Sequence, residues 1–234
     1  MVGANVEKLN FIGIGGATNI NLGGNCCYIK DGDKLLIIDM CEGATGKLEK
    51  AQVFKDVKNI YIAITHTHFD HVAGLGVFIW YCNFNFNIIP KIIYGKFEYK
   101  CHIKELLKLT GVDTKYVEFI KDSSFRFNDL TLNMQQTTHT PTLQCFGIMF
   151  EDKHGKYYYT GDTKDIEYIK KLCEDKMVKR IYTEVATQSY DVHIKYDDIV
   201  NLDKEKLVLM HFETIDLYNR AIKDGFEIAC SLNI

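Results

Sequence analysis

The stretch ITHTHFDHVAG, residues 64–74, places three histidines and an aspartate (His66, His68, Asp70 and His71) within six positions. The whole chain has only eight histidines. The cluster grows out of NIYIAIT (59–65), a nearly continuous apolar run of the kind that forms a short strand buried on both faces. It therefore sits at a strand end, where a loop can present polar groups without unfolding the core. Three more polar residues share that context: His139 follows LTLNMQQTT, Asp162 follows KYYYTG and His211 follows LVLM. Any one of them could be an ordinary capped or surface group. Four strand ends carrying the same chemistry point to one site.

Five imidazoles and two carboxylates suit a pair of divalent cations. Neutral imidazole is a good zinc ligand, and a carboxylate can complete or bridge a shell. Such pairs lie roughly 3.5–4 Å apart and bring the pKa of bound water near about 7. Two dications carry four positive charges; Asp70, Asp162 and a bridging hydroxide remove three. The charge left over favours an anionic substrate or transition state.

Around this cluster the chain of 234 residues is 47% hydrophobic, enough for one sizeable core, and a single domain over 1–234 is the economical reading. Strands are expected at LNFIGIG, NCCYIK and KLLIIDM, with DGD (31–33) as a turn, and at KIIYG, YVEFIK, SFRFND, LTLNMQQTT, CFGIMFED, KYYYTGD, RIYTEVA and LVLMHF. Helical spacing marks KLEKAQVFKDV (47–57), VAGLGVFIWYC, FEYKCHIKELLKLTG, DIEYIKKLCEDKM and TIDLYNRAIKDGF, with Gly111 and Gly225 as stops. Strand clusters alternating with helices in both halves argue for two packed sheets flanked by helices. In YCNFNFN, Phe84 and Phe86 could line a base- or acyl-binding wall; a strand or loop edge packed into the core is the preferred reading. His102 and His154 read as solvent residues.

Net charge is −3 with acids and bases interleaved, so no basic block marks a long nucleic acid or an anionic membrane as the partner. Glu7 and Asn10 interrupt what a secretory signal would need, and no apolar window reaches the roughly 18 residues of a membrane span. A cytoplasmic location is expected. The eight cysteines show no C-x-x-C pair and read as small buried hydrophobes rather than disulfides.

The heptapeptide THTHFDH at 65–71 resembles the H-x-H-x-D-H signature of the metallo-β-lactamase fold hydrolases. His139, the turn Gly161-Asp162-Thr163 and His211 are similar to that superfamily's remaining ligands, in the same order, so the likeness spans essentially the whole chain. It implies an α/β, four-layer αββα sandwich of two mixed β-sheets flanked by helices. By the same resemblance His66, His68 and His139 hold one metal, Asp70, His71 and His211 hold the second, and Asp162 bridges them. The ions implied are zinc, with manganese as an alternative. His68 separates the chain from the flavodiiron branch, where a glutamate usually stands at that place.

FIGIGGATN (11–19) and GGNCCYIKDGDKLLIIDMCEGATGKL (23–48) resemble the opening of ribonuclease Z and its phosphodiesterase relatives. Gly13, Gly15 and Gly16 lack the third glycine of a dinucleotide fingerprint and lead into strands, so they read as a tight turn near the metals. Asp39 reads as structural or as the outer partner of a ligand imidazole. In that branch a glutamate and a later histidine protonate the leaving oxygen, which on this chain implies Glu184 orienting His193 as general acid. Asp70 would orient a metal-bridging hydroxide that attacks phosphorus in line. Two departures matter. Thr183 stands where the branch usually has histidine, and only a KHGK turn (153–156) lies where bacterial ribonuclease Z inserts its long basic arm. The expectation is a dinuclear phosphodiesterase for a small-molecule or short nucleotide substrate and, by analogy with relatives, a homodimer. Alternatives are a lactone, ester or thioester hydrolase, a ribonuclease Z-like RNA endonuclease, and a non-catalytic metal-binding module. The tyrosine that lactonases of this fold place shortly after the bridging aspartate has only a poorly placed counterpart, Tyr168.

Overall fold

The computed structural model of the protein describes residues 9–122 and 125–230. The first eight residues, which include Glu7 of the signal-peptide reading, lie outside the described residues, as does Ser124, where the SFRFND strand was expected to begin. Strands β1 (Asn10–Gly13), β2 (Cys26–Asp31), β3 (Lys34–Ile38), β4 (Asn59–Ala63), β5 (Lys91–Tyr94) and β6 (Glu118–Lys121) form one sheet in chain order. A second sheet runs in order through β7 (Arg126–Phe127), β8 (Leu130–Thr137), β9 (Cys145–Asp152), β10 (Gly155–Tyr159), β11 (Val178–Val185), β12 (Leu207–Phe212) and β13 (Glu227–Ile228).

Both sheets are mixed, and for one reason. Neighbours joined without an α-helix between them pair antiparallel (β1–β2–β3 and β7–β8–β9–β10). The parallel pairs need a crossover, and each has a helix in it. These are α1 (Ala44–Lys50), α2 (Phe69–Val72) with α3 (Leu75–Phe86), α4 (Phe97–Leu109), α5 (Ile166–Glu174), α6 (Tyr196–Ile199) and α7 (Ile215–Lys223). α1 and α4 pack against the first sheet, α5 and α7 against the second. The sheets meet through Phe11 of β1 against Tyr159 of β10 (ring centres 6.4 Å apart) and Tyr61 of β4 against Phe127 of β7 (6.1 Å). This is the four-layer sandwich that the resemblance implies, and it contains the two packed, helix-flanked sheets expected from the residue pattern. β4 shows why it holds: Ile60 and Ile62 are buried, each stabilising the fold by about 1.5–3 kcal/mol.

Three local expectations need correction. The helix expected over 47–57 spans Ala44–Lys50 instead, because Gln52 (φ 54°) and Asp56 (φ 62°) turn left-handed and cannot continue it. YCNFNFN is not an edge: it forms the last turns of α3, ended by Asn87 at φ 53°. Phe86 packs on Phe54 and Tyr81, and Phe84 on Tyr116, away from the histidine cluster. Cysteines 26, 27, 41, 82 and 145 are buried as expected and none of the eight is bridged, but Cys101 and Cys230 are exposed. Among the described residues, no helix is long and apolar enough to cross a membrane.

Parallel pairing aligns the carboxyl ends of β3 and β4 in one sheet, and of β11 and β12 in the other. That edge is where open α/β sheets present ligands.

Candidate metal centre

β4 ends at Ala63, and the chain then carries Thr65, His66 and His68 into α2, which supplies Asp70 and His71. The buried Tyr99 hydroxyl donates to the Ile64 carbonyl (3.0 Å), pinning the start of this segment. After β10 the backbone turns through Gly161 (φ 57°) to Asp162; a Cβ on that glycine would meet the Phe146 carbonyl oxygen at 2.7 Å. His211 is the bulged residue of β12. Met210 pairs with Glu184 and Phe212 with Val185, leaving His211 unpaired at φ 53°. A left-handed histidine costs about 1–3 kcal/mol, and here the bulge re-aims the ring toward Asp162. Gly16 makes room for it, since a Cβ there would sit 3.2 Å from His211 Cε1.

All seven expected ligands converge. His66 Nε2 and His139 Nε2 lie 2.9 and 3.2 Å from His68 Nδ1, and 3.7 and 3.8 Å from Asp162 Oδ2. On the other side, His71 Nε2 and His211 Nε2 lie 3.4 and 3.3 Å from Asp70 Oδ2, and 3.4 and 3.5 Å from Asp162 Oδ1. Donors about 2.0–2.1 Å from a tetrahedral ion are about 3.3–3.4 Å from one another, so both groups have the edges of a coordination shell. His71 Nε2 and Asp162 Oδ1 are moreover buried with no hydrogen-bond partner, a costly arrangement unless a cation joins them. The residues fit a pair of divalent ions sharing Asp162.

Outer contacts choose the tautomers. Asp39, fully buried at the end of β3, accepts from His71 Nδ1 (2.8 Å), Thr65 N (2.7 Å) and Thr65 Oγ1 (2.9 Å), while His66 Nδ1 faces Thr65 Oγ1 at 3.1 Å. One carboxylate thus turns two imidazoles so that their Nε2 lone pairs face inward. His139 Nδ1 donates to the Val192 carbonyl at 2.6 Å with the same effect. Asp39→Ala should weaken metal binding about 10–100-fold. Competition against a chromogenic chelator measures this, and unchanged affinity would show that Asp39 only supports the fold.

Charge balance shows the same demand. Burial lowers the pKa of His66, His68 and His139, keeping them neutral and able to ligate. Burial acts the same way on His71, but Asp162 and Asp39 outweigh it and draw its pKa upward. Burial pushes Asp162 up, yet His211 and His71 hold it well below the usual carboxylate range. The imidazoles around Asp162 thus keep its carboxylate ionised at the centre of the site.

Glu184, buried in β11, accepts from Thr163 N (2.6 Å) and from His193 Nδ1 (2.7 Å). Burial, and then the Asp162 charge, push its pKa well up. A ring nitrogen of His193 also lies within 4.8 Å of donor atoms of Asp162 and His211. Its Nδ1 is already committed to Glu184, however, and its partly exposed ring faces the cavity above the histidines. Thr183 is buried and its hydroxyl donates to the Glu184 carbonyl (3.1 Å), so it reaches no ligand. His102 and His154 are exposed and apart from the cluster. Tyr168 donates to Gln135 Oε1 (2.7 Å) and lines a different cavity.

The site opens into a cavity of about 450 Å³ that Phe69, Tyr190, Thr18 and Glu213 also line. Sequence reading missed these four. The position of Phe69 between two ligands, and of Thr18 just after the glycine turn at 15–16, could have flagged two of them.

The profile of the family described as Anti-Pycsar protein Apyc1 matches residues 7–228. The chain belongs to the Apyc1 family. No curated protein matches it. Among solved structures, the metallo-β-lactamase fold protein YhfI from Bacillus subtilis is similar to this Apyc1-family chain with TM-score 0.74 and 18% identity, over 94% of each chain. A diphosphatase of the PhnP family gives 0.70 and 15%, over 95% of this chain and 94% of that one. The short form of human tRNase Z gives 0.64 and 17%, over 95% of each. At these identities the likeness is one of fold, and it establishes the metallo-β-lactamase fold for the Apyc1-family chain.

Proposed function

We propose that the chain is a dinuclear metal-dependent phosphodiesterase acting on a small nucleotide or short nucleic-acid substrate. The observation that carries this is the pair of ligand groups meeting on the two oxygens of Asp162, with the Glu184–His193 pair on the open side. His66, His68, His139 and Asp162 would hold one ion, and Asp70, His71, His211 and Asp162 the other, with zinc favoured by the imidazole-rich set and manganese as the alternative. Bound ions supply Lewis acidity and lower the pKa of water toward about 7.

The side chains do the rest. Asp70 and Asp162 cancel only half of the charge of two dications, so the floor of the cavity attracts a phosphate. Asp70 orients the attacking water and accepts its proton. His193, held through Nδ1 by Glu184, keeps Nε2 free to protonate the departing oxygen, and Glu184 stabilises the imidazolium that donates. A cavity of about 450 Å³ suits a mononucleotide-sized ligand. Between His139 and Asp162 the chain makes only the β9–β10 hairpin, and with a net charge of −3 there is no basic arm for a transfer RNA. The PhnP-family diphosphatase puts phosphate chemistry, by its name, on the same fold.

The test is a screen of zinc- or manganese-loaded protein against a chromogenic phosphodiester, cyclic nucleotides, a lactone and a thioester, with a chelator control. Chelator-sensitive turnover of phosphodiesters above the others is expected. Preference for the lactone or thioester would reassign the site to carboxylic esters, and inertness toward all of them would favour a metal-binding module.

A further inference from the structure

The loop between β11 and α6 is built more expensively than a connection requires. Tyr190 and Asp191 are consecutive residues at φ 47° and 59°, the left-handed region that non-glycine side chains avoid. The tyrosine so presented is 72% exposed. Such a kink persists only when its surroundings over-determine it, and here they do. The Ser189 carbonyl accepts from both Val192 N and His193 N at 2.9 Å, Asp191 pairs with Lys164 at 3.1 Å, and Thr187 N donates to Glu213 Oε2 at 2.8 Å. Lys164 is in turn tied through its backbone to Thr138, next to the ligand His139.

Other apolar side chains are as exposed, Ile20 and Leu109 among them, but neither lines the cavity above the histidines. Tyr190 does, and so does Phe69, 76% exposed between the ligands His68 and Asp70. Two flat rings at the mouth of a site that draws anions to its floor are what a substrate with one phosphate and one aromatic ring would need. Their side of the cavity also follows from the chain: Tyr190 lies three residues before His193, so the loop that carries the candidate proton donor carries the ring as well.

We propose that Tyr190 and Phe69 form a stacking subsite for a nucleobase on the leaving-group side of the phosphodiester, held in place by the strained 186–195 loop. This rests on the phosphodiesterase reading. Stacking accepts any base because every base has a π-face, so the subsite selects base-bearing phosphodiesters without selecting among bases. Glu213 acts as a positioning residue, clamping the start of the loop to the end of β12.

The test uses adenosine 3′,5′-cyclic monophosphate beside the same cyclic ribose phosphate lacking a base, with the metal-loaded protein. Wild type should favour the base-bearing ring, and Tyr190→Asn, which tolerates the left-handed backbone but has no ring, should cut that kcat/KM ratio about tenfold or more, mainly through KM. Tyr190→Phe should restore it, and Phe69→Leu should reduce it like Tyr190→Asn. Metal content is followed in each variant, because Val192 of the same loop holds His139. Equal losses on both substrates, or none, would overturn the subsite. Should wild type cleave neither, the phosphodiesterase reading fails, and equilibrium binding of adenosine monophosphate decides the subsite separately. Weaker binding to Tyr190→Asn, restored in Tyr190→Phe, upholds it; equal binding to all three sinks it.

Discussion

Asp162→Ala should strip both metal ions from the protein, whereas Asp70→Ala should strip one. The difference follows from the two oxygens. Asp162 Oδ2 closes the group of His66, His68 and His139, and Oδ1 closes that of Asp70, His71 and His211, all within 3.8 Å. Asp70 touches only the second group. Outer partners of metal ligands cost about 10–100-fold in affinity when removed, and a shared direct ligand should cost more than about 100-fold at each ion. The loss extends to the apo fold. His71 and His211 owe the upward pull on their pKa chiefly to Asp162, so the variant takes the largest share of negative charge from two buried imidazoles and leaves Asp70 to face both, with Asp39 behind His71. Metal-to-protein ratios after gel filtration, with Tm measured before and after chelation, check both statements. Two equivalents of metal retained by Asp162→Ala would dismiss the shared-ligand site.

How much of this was legible in the sequence depends on the range of the interaction. β4 announces itself because Ile60 and Ile62, with Ile64 just beyond its end, must all be buried, and an apolar run is local information. The ligand cluster was readable for a related reason: imidazoles and carboxylates at four strand ends have few uses other than a shared cation. Asp39 was placed near the ligands, but not its double hold on His71 and Thr65, which needs the register of β3 against β4. The bulge at His211 left no mark, since LVLMHF reads as an even strand and φ 53° is imposed by the mismatch with β11. α6 and β13 are too short to show a period. The helix over 47–57 failed for the opposite reason. Its spacing was helical, but Gln52 and Asp56 take left-handed backbone at φ 54° and 62°, which the spacing of apolar side chains does not record. The Tyr190 loop was beyond reach altogether, because strain is a property of the folded chain.

His193→Ala should slow turnover about 10²–10⁴-fold while leaving both metal ions in place. The split between these two readouts decides between two physical roles. A ring nitrogen of His193 lies within 4.8 Å of donor atoms of Asp162 and His211, the spacing of groups that can share an ion; its bond to Glu184 argues that it moves a proton instead. The leaving group separates them further. A nitrophenolate departs without protonation, whereas a sugar alkoxide cannot, so the variant should lose little on a nitrophenyl ester and almost everything on a nucleotide. A ligand role would depress both equally. Glu184 needs a gentler change, because its other oxygen accepts from Thr163 N, one residue after Asp162. Glu184→Gln keeps an acceptor for Thr163 but weakens the hold on His193 Nδ1, because an amide is a poorer acceptor than a carboxyl group able to share the imidazole proton. It should reproduce part of the His193→Ala defect and add little when the two are combined, as groups acting as one unit do not multiply their losses. Fully multiplicative effects in the double variant would place Glu184 outside the proton path and leave it as a brace for the Asp162 turn.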